Sequence, residues 1–164
     1  MTDLRRELVV RSALAEFERV DAMDAAGVAA FLNLRVPLYW ADVLHQSALA
    51  PHPPQWCGAF ALWNLHQAGL GLDIRWLFGP PHYGFLWNLN QLAPHQKPEP
   101  GDVAYLDKPF QHHAIVLCVE GGIVHTCDGN QGPHKPIQKY ERPLSHWTAF
   151  FSIARLLDEP ESVA

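Results

Sequence analysis

The sequence predicts an α+β fold in which N-terminal helices pack on an antiparallel sheet. Two observations carry this. Between Leu4 and about Val20 apolar residues recur at spacings of three and four, the period of a helix, and the stretch after Pro54 is apolar on nearly all faces over a helix's length. From "PEPGDVAYL" (98–106) onward the period drops to two, that of a strand, in short β-branched or aromatic runs separated by Gly, Pro or Asn. Helices first and strands after is the order of an α+β domain, not the alternation that builds a parallel sheet.

Each element follows from its residues. Between Leu4 and about Val20, Leu8, Val9, Ala13, Leu14 and Phe17 form the stripe of an amphipathic helix. Glu7 and Arg11 interrupt the apolar run that a secretory leader needs, so this reads as part of the mature protein. A second helix spans about Ala25 to Leu34, Pro37 breaks it, and "LYWADVLHQSALA" forms a third. "PHPP" (51–54) then stops regular structure, marking off a helical segment (1–50) from a main domain (51–158) and a short tail (159–164). The next run, with Phe60, Ala61, Leu62, Trp63, Leu65 and Ala68, is apolar all round, which predicts a buried helix ended by Gly69 and Gly71. Residues 72–99 read as a long irregular connection with one helical turn near "FLWNLNQL". Strands follow at "DVAYL", "HAIVLCV", "IVHTCD" and "AFFSIARLL".

Composition bounds the function. The 164 residues are 48% apolar and 18% charged, enough for one domain with a real core. A net charge of −5 without a Lys/Arg cluster argues against a nucleic-acid partner. No window approaches the ~18 consecutive apolar residues of a spanning helix, so no membrane insertion is expected. Three cysteines, an odd number without close pairing, point to free thiols in a reducing compartment. The chain reads as a monomer, cytoplasmic as synthesised, with export by a route needing no cleavable leader left open.

Cys57 is the residue that calls for chemistry. Prolines at 53 and 54 place it in the first helical turn, where unpaired N–H groups and the positive end of the helix dipole favour a thiolate and can hold an oxyanion. Burial as a small hydrophobe would explain a cysteine there equally well. The segment "QHHAIVLCVEGGIVHTCDGNQG" separates the two readings. A two-residue loop at Gly121-Gly122 or Glu120-Gly121 pairs residues whose numbers sum to an odd value. His113, Ile115 and Leu117 then share a face with Thr126, Asp128 and Asn130, at cross-strand distances of about 5 to 8 Å. His113 would take the thiol proton, Asp128 would orient the ring and stabilise the imidazolium, and Asn130 would support it or shape the loop. A three-residue loop without a bulge reverses the parity, setting His113 beside His125 and Cys127 in an arrangement suited to zinc. The spacing of paired zinc ligands is missing and Gly121-Gly122 favours the short loop, so no metal or cofactor is expected.

These residues resemble a known pattern. "WCGAFALWNLHQAGL" resembles the nucleophile helix of CHAP domains, the cysteine- and histidine-dependent amidohydrolase/peptidase branch of the papain-like fold. "PEPGDVAYL" is similar to the family's Pro-x-Pro-Gly-Asp turn, "HHAIVLCVEGGIVHTCDGNQG" to its His strand, hairpin and Gly-Asn-bearing strand, and "FFSIARLL" to its closing strand. The four pieces cover about residues 54–157 in the family's order. The resemblance implies a papain-like catalytic domain over 51–158, Cys57 as nucleophile, His113 as general base and acid, Asp128 as orienting acid and Asn130 as support. The position before the base, usually glycine in the family, is His112 here; the spacing to Asp128 selects His113 as the inward ring.

The implied activity is cleavage of amide bonds in peptidoglycan peptides, or other peptide-like amides, through a thioester. A thiol acyltransferase or transpeptidase would share that intermediate, and a non-catalytic binding module would share the fold. Gln55 is a candidate oxyanion donor or a helix cap, and Trp56 a candidate wall of the substrate groove or a core residue. Asp102 caps the turn after Gly101. Cys118 and Cys127 are expected to face away from His113 as ordinary sheet packing.

Overall fold

The computed structural model describes residues 4–76 and 89–158. Helix α1 (Leu4–Asp21) is followed by α2 (Ala25–Leu34), α3 (Val36–Leu44) and α4 (Cys57–Gln67). The strands are β1 (Asn90–Gln91), β2 (Val103–Leu106), β3 (His112–Glu120), β4 (Ile123–Gly129), β5 (Ile137–Pro143) and β6 (Ala149–Ser152), closed by the short α5 (Ala154–Leu157). They form one antiparallel sheet in the order β1-β6-β2-β3-β4-β5. The chain is thus α+β, with helices on a six-stranded antiparallel sheet.

The stripe expected on α1 is shifted. Its buried residues are Arg6, Val9, Ala13, Glu16 and Val20, while Leu8 is 39% exposed. The two charges lie on the buried line because each has a partner: an unpaired buried ion would cost several kcal/mol. Arg6 donates to Asp102 at 2.7 Å and to the Pro100 carbonyl at 2.9 Å, and pairs with Glu99 at 3.1 Å. Glu16 accepts from Arg35 at 2.7 and 3.0 Å and from the Tyr39 hydroxyl. Burial alone would raise the Glu16 carboxyl, yet these donors hold it below its usual range. Asp102 accepts from Glu99 N–H at 2.8 Å, the expected turn cap, and also from Ile153 N–H at 3.0 Å.

Asp24 caps α2 by accepting from Gly27 N–H at 2.8 Å. Pro37 does not break structure but lies in the first turn of α3, where its missing N–H would have no partner anyway. Every residue of α4 from Cys57 to His66 is buried, as its all-round apolar sequence predicts. Phe60, Leu62 and Leu65 are fully enclosed, each contributing about 1.5–3 kcal/mol of burial. One apolar cluster runs from Val9 and Ala13 through Tyr39, Phe60 and Leu65 to Val103, Ile115, Cys127 and Ile153, so residues 1–50 share the core of the rest. A smaller cluster (Ala104, Ala114, Val116, Val124, Trp147) lies on the other face of the sheet.

Three local expectations change. "AFFSIARLL" is a strand only to Ser152; "ARLL" is helical. Asn90 and Gln91 of "FLWNLNQL" are extended, and residues 85–88 lie outside those described, as does the tail 159–164. The β3–β4 loop is Gly121-Gly122, both at positive φ, and Glu120 pairs with Ile123 as a two-residue loop requires. Two residues further on the register slips: Cys118 pairs with His125 but Val116 with Thr126, leaving Leu117 as a bulge. Toward the start of β3 the sums are therefore even. His113 and Ile115 share a face with Cys127, whereas His112, Ala114 and Val116 share one with Thr126 and Asp128. The expected common face of His113 and Asp128 is not found, and Cys127 lies on the His113 face.

Candidate active site

Cys57 is the first residue of α4, with Trp56 as N-cap and no side chain capping the helix. The amides of the first turn have no acceptor within the helix and form the positive end of its dipole. Two glycines let this end of α4 approach its neighbours. A Cβ on Gly58 would fall 1.8 Å from Trp76, and one on Gly129 would fall 2.8 Å from Phe60 and 2.9 Å from Trp56. The second contact brings the Asp128-Gly129-Asn130 end of β4 against the start of α4.

The thiol is buried beside the His112 and His113 imidazoles. Burial would raise its pKa, but interaction with His112 and then His113 outweighs burial and brings it down to about 5. His112 Nε2 lies 2.8 Å from Asp128 Oδ2, which leaves Nδ1 as the nitrogen for sulfur. Burial opposes the imidazolium, yet the bonds to Asp128 and Cys57 raise His112 to about 9. Cys57 and His112 therefore stabilise each other as a thiolate–imidazolium pair at neutral pH.

Asp128 is fully buried. Besides His112 it accepts from Arg142 Nη1 at 2.9 Å and from the Thr126 hydroxyl at 2.5 Å. Trp147 stacks on His112, with ring centres 6.5 Å apart and planes 21° from parallel. Gln131 donates to the Gly129 carbonyl at 3.0 Å, and its amide is 3.4 Å from His112 Nε2. Cys57 and His112 open into a cleft of about 700 Å³ whose walls include Gln55, Phe110, Asn130 and Arg142.

The residues singled out from sequence are distributed as follows. Cys57 and Asp128 meet through His112. His113 touches the thiol but lies on the opposite face of β3 from Asp128, 3% exposed, with ring centres 5.1 Å from Tyr105 and 5.4 Å from Trp76. Asn130 lines the cleft with φ +62°, a conformation Asn tolerates better than most residues. Gln55 is exposed on the cleft wall. Trp56, expected as a candidate groove wall, is instead 4% exposed among Phe31, Tyr39 and Phe60, because a large ring beside a buried helix gains most from the core. Cys127 is buried with its thiol pushed up by desolvation, and Cys118 is raised in the same direction, by burial and Glu120. Among the described residues no group of three or more His, Cys, Asp or Glu side chains could hold a metal ion, and no helix is long and apolar enough to cross a membrane.

His112, Arg142 and Gln131 were missed by sequence reasoning. A signal for His112 was present. The row His113, Ile115, Leu117 is the more apolar one and would pack beneath helices, leaving His112 to the other face with Asp128.

No protein-family model matches the chain, and no curated protein sequence matches it. A solved structure described as "The crystal structure of Ly7917" is similar over 76% of this chain, with 15% identity and a TM-score of 0.43; the matched region is 62% of that protein's length, under two thirds.

Proposed function

We propose that the protein is a thiol hydrolase of the papain-like, CHAP type that cleaves amide bonds through a thioester, with Cys57 as nucleophile, His112 as general acid and base, and Asp128 as orienting acid. The observation that supports this most directly is the Cys57 thiol at the start of a buried helix, lowered to a thiolate by His112, whose Nε2 is held at 2.8 Å by the buried Asp128 carboxylate. A cysteine placed only for packing needs neither partner. Cys127 illustrates that case, its sulfur donating to the Ala13 carbonyl at 3.4 Å.

In the proposed reaction the Cys57 thiolate forms a bond to the amide carbon and the oxygen takes up the electron pair. First-turn N–H groups of α4 would hold the oxyanion, with Gln55, on the wall of the same cleft, as a candidate further donor. The C–N bond then breaks as His112 Nδ1 gives its proton to the leaving amine. Water attacks the thioester, His112 takes the water proton, and the acid and Cys57 thiolate are released. Asp128 keeps Nε2–H donated throughout, fixing the tautomer. The substrate class, peptide amides of bacterial cell wall, rests on the CHAP resemblance.

Digestion of purified cell wall, with mass spectrometry of the new termini, tests the reading. Wild type is expected to release new amine and carboxyl ends and Cys57→Ala none, with both proteins melting alike. Equal release by the variant removes the proposal, and products weighed in the presence of an added amine separate hydrolysis from acyl transfer.

A further inference from the structure

β5 brings an arginine to the back of the histidine–carboxylate pair. Arg142 Nη1 is 2.9 Å from Asp128 Oδ2, the same oxygen that holds His112 Nε2 at 2.8 Å. Thr126 donates to Oδ1 at 2.5 Å, so the carboxylate is gripped on both oxygens. The guanidinium is fixed in turn: its Cζ is 4.0 Å from the Tyr140 ring centre and 5.3 Å from that of Trp147, and the side chain is 19% exposed. A flat cation between aromatic faces is a preorganised donor, which a flexible ammonium is not.

Two cations on one oxygen compete. The guanidinium takes part of the Oδ2 lone-pair density and its permanent charge opposes a second cation on the same carboxylate. The other titratable groups around His112 are Cys57 from α4, its chain neighbour His113 in β3, and His146, which follows β5 and lines the same cleft. Of the two charges that reach Asp128, only the one on Arg142 is independent of pH.

We propose that Arg142 is a positioning residue of this site, which holds Asp128 against His112 and, by sharing Oδ2, limits how strongly the carboxylate retains the imidazolium. This sets the alkaline end of the pH range over which the thiolate–imidazolium pair persists. The inference rests on the Cys57–His112–Asp128 reading and deepens it.

The rate of Cys57 carboxymethylation by iodoacetate, followed from acid to alkaline pH, tests it without any knowledge of the substrate. An anionic reagent reacts fastest while the imidazolium is present, so the alkaline fall of the profile reports His112. Arg142→Gln is expected to move that fall to higher pH by about one unit, a tenfold change in the imidazolium dissociation constant. Arg142→Lys, which keeps the charge but not the flat, ring-held donor, is expected to move the fall in the same direction by less than Arg142→Gln. Tyr140→Leu, which removes one ring from the guanidinium, is expected to move the fall in the same direction by less, and it provides the reading should Arg142→Gln not fold. A fall that stays in place or moves to lower pH in the folded variants overturns the proposal. Because labelling needs no turnover, absence of amide cleavage by wild type would remove the hydrolase reading alone, whereas a wild-type profile without an alkaline fall would remove both.

Discussion

His112 and His113 are consecutive residues of β3 that serve different layers of the molecule. His113 faces the helices, between Trp76 and Tyr105 and in the row of Ile115 and Cys127. His112 faces the opposite side, beneath Trp147, with Asp128 and Arg142 behind it and the cleft in front. Both rings act on the ionisation of the same sulfur, yet it is His112 that combines a carboxylate partner with a place on the cleft. Strand alternation turns one step along the chain into a change of chemical environment, so identical side chains need not be equivalent.

The largest effect expected from breaking this contrast is on turnover. His112→Ala removes the proposed acid and base together and is expected to lower the proposed amide cleavage by about 10²–10⁴-fold. His113→Phe removes only a stabilising interaction with the charged sulfur, worth about 1.5 kcal/mol or roughly tenfold. Single-turnover rates on one substrate compare them, and a greater loss in His113→Phe than in His112→Ala would reverse the assignment of the two faces.

The cysteines sharpen the same contrast. Near neutral pH, ionisation of Cys57 is offset by the weaker nucleophilicity of an acidic thiol, so the difference is best read in acid. At about pH 5.5 an ordinary thiol is ionised to roughly 0.1%, whereas a thiol at about 5 is mostly thiolate; after the nucleophilicity loss the net advantage is about 20-fold. Iodoacetamide labelling followed by peptide mapping is expected to modify Cys57 ahead of Cys118 and Cys127, both of which are shifted upward. Equal labelling of all three would leave Cys57 as an ordinary thiol.

A smaller change is expected from Asp128→Asn. The carboxylate is among the groups that raise His112, so its removal lowers the pKa of the ring from about 9 toward the ordinary imidazole value of about 6.5. The sign follows directly: the imidazolium is lost at lower pH, and the alkaline fall of the iodoacetate profile moves down. At pH 8 this should cost about tenfold in rate. A profile that does not move would show that Asp128 has no electrostatic hold on the ring.

Much of this arrangement was legible in the sequence because it depends on periodicity and punctuation. The all-apolar run after Pro54 specified a buried helix, and Gly121-Gly122 specified the hairpin loop. Those patterns set Cys57 in a first helical turn and Asp128 on the strand opposite the histidines; their meeting at one site came from the family resemblance. The choice between adjacent histidines could not be made by counting from the loop, because Leu117 bulges out of the ladder and a one-residue slip exchanges faces. β5 escaped notice for a related reason. "IQKYERP" reads as polar, but its inward row is Gln138, Tyr140 and Arg142, amphipathic side chains whose stems or rings cover the sheet while their polar ends make contacts. The shift of the α1 stripe came from Arg6 and Glu16, whose burial depends on partners 96 and 19 residues away. Local patterns do not carry such pairings.

The smallest effect on chemistry is expected at Gly129, which joins the two faces. Its own position falls on the helix side of β4, yet it is flanked by Asp128 on the other side and by Asn130 at the cleft. Gly129→Ala would place a methyl group 2.8 Å from Phe60 and 2.9 Å from Trp56, both parts of tightly packed aromatic contacts. Strand β4 or helix α4 must then yield, and overpacking of this kind costs about 1–3 kcal/mol. Urea unfolding should register that loss in the midpoint. Because His112, Asp128 and Arg142 meet on the far face of the sheet, the pH limits of Cys57 labelling should stay near those of wild type. A variant with unchanged stability but a displaced pH profile would mean that the helix face, and not the sheet's own hydrogen bonding, sets the geometry of the carboxylate.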